Sequence, residues 1–282
     1  MKLINKIIKE IDEFPTLPTI YSTLSEVISN PRSTAGDVSN IILQDQSSAS
    51  KILKTANSAA YGVMGKVTTV SQAVVYIGFE EVKNLIVSQS ILDIFGNVNL
   101  TKAINPIDLW KHSIAVGIIS KNIAKGMGIR NFETYFLSGI LHDIGKLLFL
   151  KSIPELYDKV INYSIANNIP IIEVEKNIIG MSSSLAGSLL AEKWNIPATI
   201  RNTIKYQHIG LLNDKPETLV SIVHLANIVA EMLELGYSGE YLIPEINKQI
   251  WQVIKLPTAF FTKNLPLIIK EYQDSVNLLL KT

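Results

Sequence analysis

The chain has 282 residues, 47% of them hydrophobic and 18% charged, which is enough apolar material for a sizeable core and excludes an intrinsically disordered chain. Against 26 Lys and Arg stand 25 Asp and Glu, a formal net charge of +1, so there is no basic excess for binding nucleic-acid phosphates by bulk electrostatics. No cysteine is present; disulfides, thiolate nucleophiles and Cys-ligated metal centres are excluded, and any metal must be held by His, Asp, Glu or Asn.

Helical periodicity dominates from the start. Ile4, Ile7, Ile8 and Ile11 mark a first amphipathic helix. Lys6, Lys9, Glu10, Asp12 and Glu13 interrupt it too often for a secretory h-region. Ile20, Leu24, Val27 and Ile28 mark a second helix, stopped by Asn30-Pro31, and Ser33 or Thr34 caps a third. A fourth runs from Ser48 to Thr55. Thr69 or Ser71 starts a helix ended by Gly78, and another spans Glu80 to Ile94. Alternating strand patterns are scarce, Lys66–Val70 being the best candidate. Further helices are predicted over Leu109–Gly126, Phe132–Leu150, Pro154–Ile165, Glu173–Ile178, Ser183–Trp194, Pro197–Tyr206 and Glu217–Leu235. A polar break at Gly236–Gly239 introduces two or three more. No run reaches the roughly 18 apolar residues needed to span a bilayer. The expectation is an all-α, cytoplasmic protein with no membrane partner, built as a helical subdomain over residues 1–100 and a second over 101–282.

The histidines are His112, His142, His208 and His224. The most informative segment is Leu141-His142-Asp143-Ile144-Gly145-Lys146, inside the apolar stretch Tyr135–Leu150. A carboxylate there is buried and needs a metal, a His or several donors. Consecutive side chains in a helix diverge by about 100°. His142 and Asp143 therefore converge on one centre only at a helix end or from a wide face. Two antiparallel helices would bring His112 beside His142, and a fourth ligand would come from the helix carrying His224 and Asn227. The structural alternative is a satisfied buried ion pair. The remaining candidates read as structure. Asn57-Ser58-Ala59-Ala60-Tyr61-Gly62 is a helix C-terminus, Ser182-Ser183-Ser184 a helix N-cap, and Trp110, Trp194 and Trp251 are packing residues. No glycine-rich phosphate loop or nucleophile elbow occurs.

The ordered set of His112, His142-Asp143 and His224-Leu225-Ala226-Asn227 resembles the HD superfamily of metal-dependent phosphohydrolases. Phe14-Pro15-Thr16-Leu17-Pro18, Ile41-Ile42-Leu43-Gln44-Asp45, Lys51 to Tyr61, Ala73 to Gly78 and Leu189 to Pro197 narrow the resemblance to the HDOD domain, an HD-related output domain of bacterial signalling. The resemblance implies a multi-helix HD-superfamily bundle and a regulatory role. It places three HD ligands at His112, His142 and Asp143, and puts Asn227 where active relatives carry Asp. An amide is a weaker ligand than a carboxylate for a hard cation. Phosphodiesterases of the related HD-GYP group add histidines where this chain has Ser183 and Gln207, and the Gly-Tyr-Pro motif is missing after His208. Lys146 matches a phosphate-contacting Lys.

The reading is a non-catalytic signalling module acting through partner proteins or a nucleotide-like second messenger, with nucleic acid disfavoured and no cofactor expected. No sensor or receiver sequence stands out, so input is expected from a separate protein. The alternative is a phosphohydrolase holding one divalent metal at His112, His142 and Asp143, helped by Asn227 and His208, with Asp143 and Lys146 as its catalytic residues.

Overall fold

Helix starts follow local side-chain chemistry in the computed structural model, which describes residues 2–13, 19–57, 66–96 and 103–280. Thr34 accepts from the backbone N–H of Asp37 at 3.2 Å while Asp37 Oδ2 accepts from Thr34 N at 2.8 Å, a reciprocal capping box. Thr69 and Gln72 repeat the device. Asn105 caps a further helix through the N–H of Ile107, with Pro106 at the first helical turn. Among the described residues 72% are helical. Among the described residues no helix is long and apolar enough to cross a membrane.

The chain divides into two units. The smaller contains residues 16–93 and 270–282. Its helices α2 (Thr19–Ser29), α3 (Ala35–Ile42), α4 (Gln46–Ala56), α5 (Val70–Ile77) and the start of α6 (Phe79–Gly96) bury Leu24, Val38, Ile42, Ile52, Val74 and Val82 in one core. Asn57 ties the end of α4 to the approach of α5. Its Nδ2 donates to the carbonyls of Leu53 and Val67, each at 2.8 Å, and its Oδ1 accepts from Val67 N. This is the helix-terminal role expected for it. Residues 14–18 and 58–62, which carry part of the family resemblance, lie outside the described residues. Lys66–Val70 is not a strand; Thr69 caps α5 there instead.

The larger unit contains residues 1–15 and 94–269. Helix α1 (Lys2–Glu13) belongs to it, packing on α9 (Ile144–Ser152) and α12 (Ser183–Lys193) with Ile7 and Ile11 buried. The sequence boundary at residue 100 thus compares with 93/94, and α1 sits across it. The unit's other helices are α7 (Pro106–Gly126), α8 (Glu133–Leu141), α10 (Pro154–Asn167), α11 (Ile171–Ile178), α13 (Ala198–Tyr206) and α14 (Thr218–Met232). A two-residue hairpin, β1 (Leu211–Leu212) and β2 (Lys215–Pro216), turns through Asn213 and Asp214, both left-handed. After α14 come a 3-10 turn over Lys248–Gln252 and the long α15 (Thr258–Leu280), which runs across the division. Trp110 and Trp194 are buried, whereas Trp251 is 43% exposed and is not the packing residue expected.

Two features position the site. A Cβ built on Gly139 would lie 2.6 Å from Cα of Gly117, so α8 and α7 touch backbone to backbone. The single helix expected over Phe132–Leu150 is in fact broken into α8 and α9 at His142-Asp143. His142 Nδ1 donates to the carbonyl of Gly139 at 2.6 Å, satisfying a helix-terminal acceptor from a side chain. Asp143 sits at φ −107° and ψ 19°, in the bridge region. Both residues therefore stand at helix ends, the one arrangement that lets consecutive side chains share a centre.

Candidate functional site

The break puts His142 and Asp143 opposite His112 on α7. The two imidazole centroids are 5.3 Å apart. One ligand atom from each of His112, His142 and Asp143 lies within 4.8 Å of the others, and all three residues are buried. His142 donates through Nδ1 to Gly139, which leaves Nε2 as its free nitrogen. That atom makes no hydrogen bond and lies 3.4 Å from Asp143 Oδ2. A bare imidazole nitrogen facing a carboxylate is the disposition of two ligands to one cation. It is equally that of an imidazolium–carboxylate pair when a second proton is present. The donor set suits one divalent ion held by two nitrogens and a carboxylate.

Asn227, from α14, completes the ring as the order of motifs anticipates. His112 Nε2 donates to Asn227 Oδ1 at 2.8 Å, Asn227 Nδ2 donates to Gln207 Oε1 at 3.4 Å, and Gln207 Nε2 donates to Asp143 Oδ1 at 3.0 Å. Every link has the same polarity, so the run of donors ends on the carboxylate. Each amide serves as acceptor on one side and donor on the other, which an ionised Asp at the same place could not reproduce. Lys146 Nζ holds the other carboxylate oxygen, Asp143 Oδ2, at 2.8 Å and lies 4.0 Å from Glu240 Oε1.

The two other histidines stand outside this compact group. His208 is half-buried, with Nε2 3.4 Å from Gln207 Nε2. His224 uses both nitrogens on backbone: Nδ1 donates to Gln207 O at 2.7 Å and Nε2 accepts from Asn247 N at 3.3 Å. It holds the segment that carries Gln207. Ser183 meets neither histidine. Its N–H and Oγ donate to Glu175 Oε2 at 2.7 and 2.9 Å, and Tyr157 OH donates to Glu175 Oε1 at 2.9 Å. Ser183 thus forms a link between α11 and α12.

Burial alone would push the Asp143 carboxyl up, but His142 and Lys146 reverse this and hold it well below the usual carboxylate range. His112 is pulled down to about 3 by burial and then by the neighbouring His142, so it is neutral at physiological pH. Burial would lower Lys146; Asp143, then Glu240, raise it instead. Glu240 is driven up to about 7 by burial, which Lys146 only partly offsets.

The Glu240 carboxyl gives a pH-dependent prediction. Its folded value lies above its ordinary 4.5, so the folded state binds more protons between the two values and stability falls as pH rises from about 4.5 through about 7. That interval corresponds to about 3 kcal/mol. Glu240→Gln lacks the titrating group. Relative to wild type it should gain about 3 kcal/mol of stability between pH 4.5 and pH 8, read by denaturation at each pH with chelator present. A difference that does not change with pH would show that Glu240 titrates normally.

Sequence reasoning located His112, His142, Asp143, Lys146 and Asn227, and the structure brings them together. It treated Gln207 only as a missing histidine, and gave no sign of Glu231, 3.7 Å from His112 Nε2, or of Glu240. These two flank the polar Gly236–Gly239 break. Gly236 has φ 81°, and a Cβ there would overlap the backbone N of His112. The N–H of Tyr237 donates to Asp108 O at 3.0 Å. That close docking on α7 carries both glutamates to the cluster.

The HDOD domain family matches residues 14–209. An uncharacterized protein of Treponema pallidum (strain Nichols) is 27% identical over 235 residues, covering 83% of this chain and 45% of that protein; the chain spans less than half the length of this relative. The crystal structure of an HDOD domain protein with unknown function from Geobacter sulfurreducens superposes with a TM-score of 0.82 at 24% identity, over 99% of this chain and 97% of that one. The "Putative phosphohydrolase" of Shewanella amazonensis SB2B gives 0.75 at 24% identity, over 97% and 98%. The "Putative signal transduction protein" of Marinobacter aquaeolei VT8 gives 0.76 at 19% identity, over 98% and 65%. At these identities the likenesses establish the all-helical fold.

Proposed function

This chain belongs to the HDOD family, and from that premise we propose that it is a non-catalytic signalling module, working through a partner protein or small ligand rather than by turnover. One observation carries the reading. The amides of Asn227 and Gln207 join His112 to Asp143 in a one-directional hydrogen-bond chain, and Lys146 pairs with the remaining carboxylate oxygen. These links tie α7, α9, α13 and α14 together through the protein's own amides and ammonium, as a polar lock would. The test is an assay of cyclic dinucleotides and a simple phosphodiester with added Mn²⁺. No turnover above the metal background is expected.

The free Nε2 of His142, facing Asp143, favours a second reading, a metal-dependent phosphohydrolase. A divalent ion held by His112, His142, Asp143 and Asn227 would supply a bound water of lowered pKa and polarise a phosphoryl oxygen. Turnover that His142→Ala or Asp143→Ala abolishes would establish it in place of the first.

The amide at 227 also sets metal affinity. Asn227→Asp places an anionic oxygen beside His112 Nε2 and removes the donor to Gln207 Oε1. Mn²⁺ should bind the variant at least roughly tenfold more tightly than wild type by titration calorimetry, since carboxylates outrank neutral oxygens for hard cations. Equal affinities would place Mn²⁺ away from this cluster.

A further inference from the structure

Beside the histidine cluster, the larger unit has a half-open cavity of about 470 Å³, within the size range of small-molecule sites. Three carboxylates line it: Glu240, Glu231 and Glu234. They form a gradient of depth. Glu240 is buried, Glu231 is intermediate and Glu234 is exposed. Tyr237, Tyr241 and Ile243 add aromatic and apolar wall, with Tyr241 and Ile243 exposed at the mouth.

The carboxylates at the bottom lack sufficient counter-charge. Glu240 is 7% exposed, yet its Oε1 receives no hydrogen bond. The neighbouring cation, Lys146 Nζ, lies 4.0 Å away and is drawn to Asp143 at 2.8 Å. Glu231 Oε1 accepts from Ser238 Oγ. It faces His112, which burial keeps neutral. A buried carboxylate such as Glu240, with one oxygen that receives no donor and a cation shared with Asp143, is costly.

The geometry also selects the kind of cation. Among the described residues, the compact metal-type group is His112, His142 and Asp143, and none of the cavity glutamates joins it. The glutamates are spread around a volume instead of converging on a point, so they do not form a chelate for a bare metal ion. Phosphate esters would meet like charge at every level. What fits is a chain that presents separated positive charges to separated carboxylates and apolar methylenes to the tyrosines and Ile243.

We propose that this cavity is a binding site for an aliphatic polyamine, with an ammonium group against Glu240 and Glu231 at its floor and a second near Glu234 at its mouth. Ammonium over the tyrosine faces adds cation–π attraction. The upward displacement of the Glu240 carboxyl is consistent with a missing buried partner. This site stands apart from the question of turnover at the histidine cluster.

Titration calorimetry of the full chain with spermidine at moderate salt is the test. Saturable binding of one equivalent is expected, weakened at least tenfold by Glu240→Gln and by Glu231→Gln, both retaining the wild-type circular dichroism. Equimolar MgCl₂ should not displace it. The proposal fails if spermidine gives no saturable heat up to millimolar concentration. It fails equally if both variants bind as wild type does, or if Mg²⁺ competes at equal charge, since either result marks diffuse screening of surface carboxylates. Binding of inorganic triphosphate to this cavity, lost in Tyr237→Ala and kept in Glu240→Gln, would also overturn it by showing an anion site.

Discussion

Lys146→Met should cost the larger unit about 3–5 kcal/mol, because it strips the cation from a buried carboxylate and leaves the charge behind. Lys146 is 1% exposed and Asp143 3%. Without the ammonium at 2.8 Å from Oδ2, Asp143 keeps the Gln207 amide on Oδ1 and His142 at 3.4 Å. Glu240 loses its one nearby positive charge as well. Met preserves the length and apolar stem of Lys, so the loss reports charge rather than a cavity. All three tryptophans, Trp110, Trp194 and Trp251, fall within residues 94–269, and their fluorescence in a denaturant titration reads this unit specifically. Adding Glu240→Gln to Lys146→Met should recover part of the loss by removing a second stranded carboxylate. A single-variant loss under about 1 kcal/mol would mean that the pair behaves like an exposed ion pair, and that the site is open to solvent.

That Lys146 serves Asp143 and Glu240 at once was only half legible. The His-Asp-x-Gly-Lys order places Lys146 one helical turn from Asp143, an i, i+3 pair any helix brings together. Glu240 is far downstream in the chain and reaches the site through the tight approach of Gly236 to α7, which no periodicity encodes. The same distinction runs through the fold. Helix existence could be read from apolar spacing, and starts at Thr34 and Thr69 from cap chemistry. The partner of each apolar face could not. Helix α1 shows an apolar stripe in the sequence, but nothing there says that Ile7 and Ile11 pack against α9 and α12, or that Lys193 Nζ donates to the carbonyl of Ile11 at 2.7 Å. The break at His142-Asp143 was invisible for a related reason. Apolar spacing continues through it, and the interruption comes from an imidazole taking the carbonyl of Gly139.

The glycine of the same motif carries the last and largest expected effect. Gly145→Ala should abolish the folded larger unit or lower its stability by more than about 3 kcal/mol, beyond the usual range for overpacking. A Cβ at this position would overlap the carbonyl oxygen of Ser183 and lie 2.7 Å from the backbone N of Gly187. Both obstacles are main chain of α12, so no rotamer change relieves them. Gly187 returns the constraint, since its own Cβ would sit 2.9 Å from Gly145 N. Helices α9 and α12 can separate only by moving Ser183, whose N–H and Oγ both hold the buried Glu175, and by moving Lys146, the residue next to the substitution. Gly128→Ala is the matched control. Gly128 has φ 74° and open space where a Cβ would go, so only the left-handed backbone penalty of about 1–2 kcal/mol applies. Soluble yield, circular dichroism and tryptophan-monitored melting of the two variants side by side separate steric exclusion from backbone preference. A Gly145→Ala protein that melts within about 3 °C of wild type would show that α9 and α12 are not in backbone contact, and would remove the steric reason for a glycine between His142-Asp143 and Lys146.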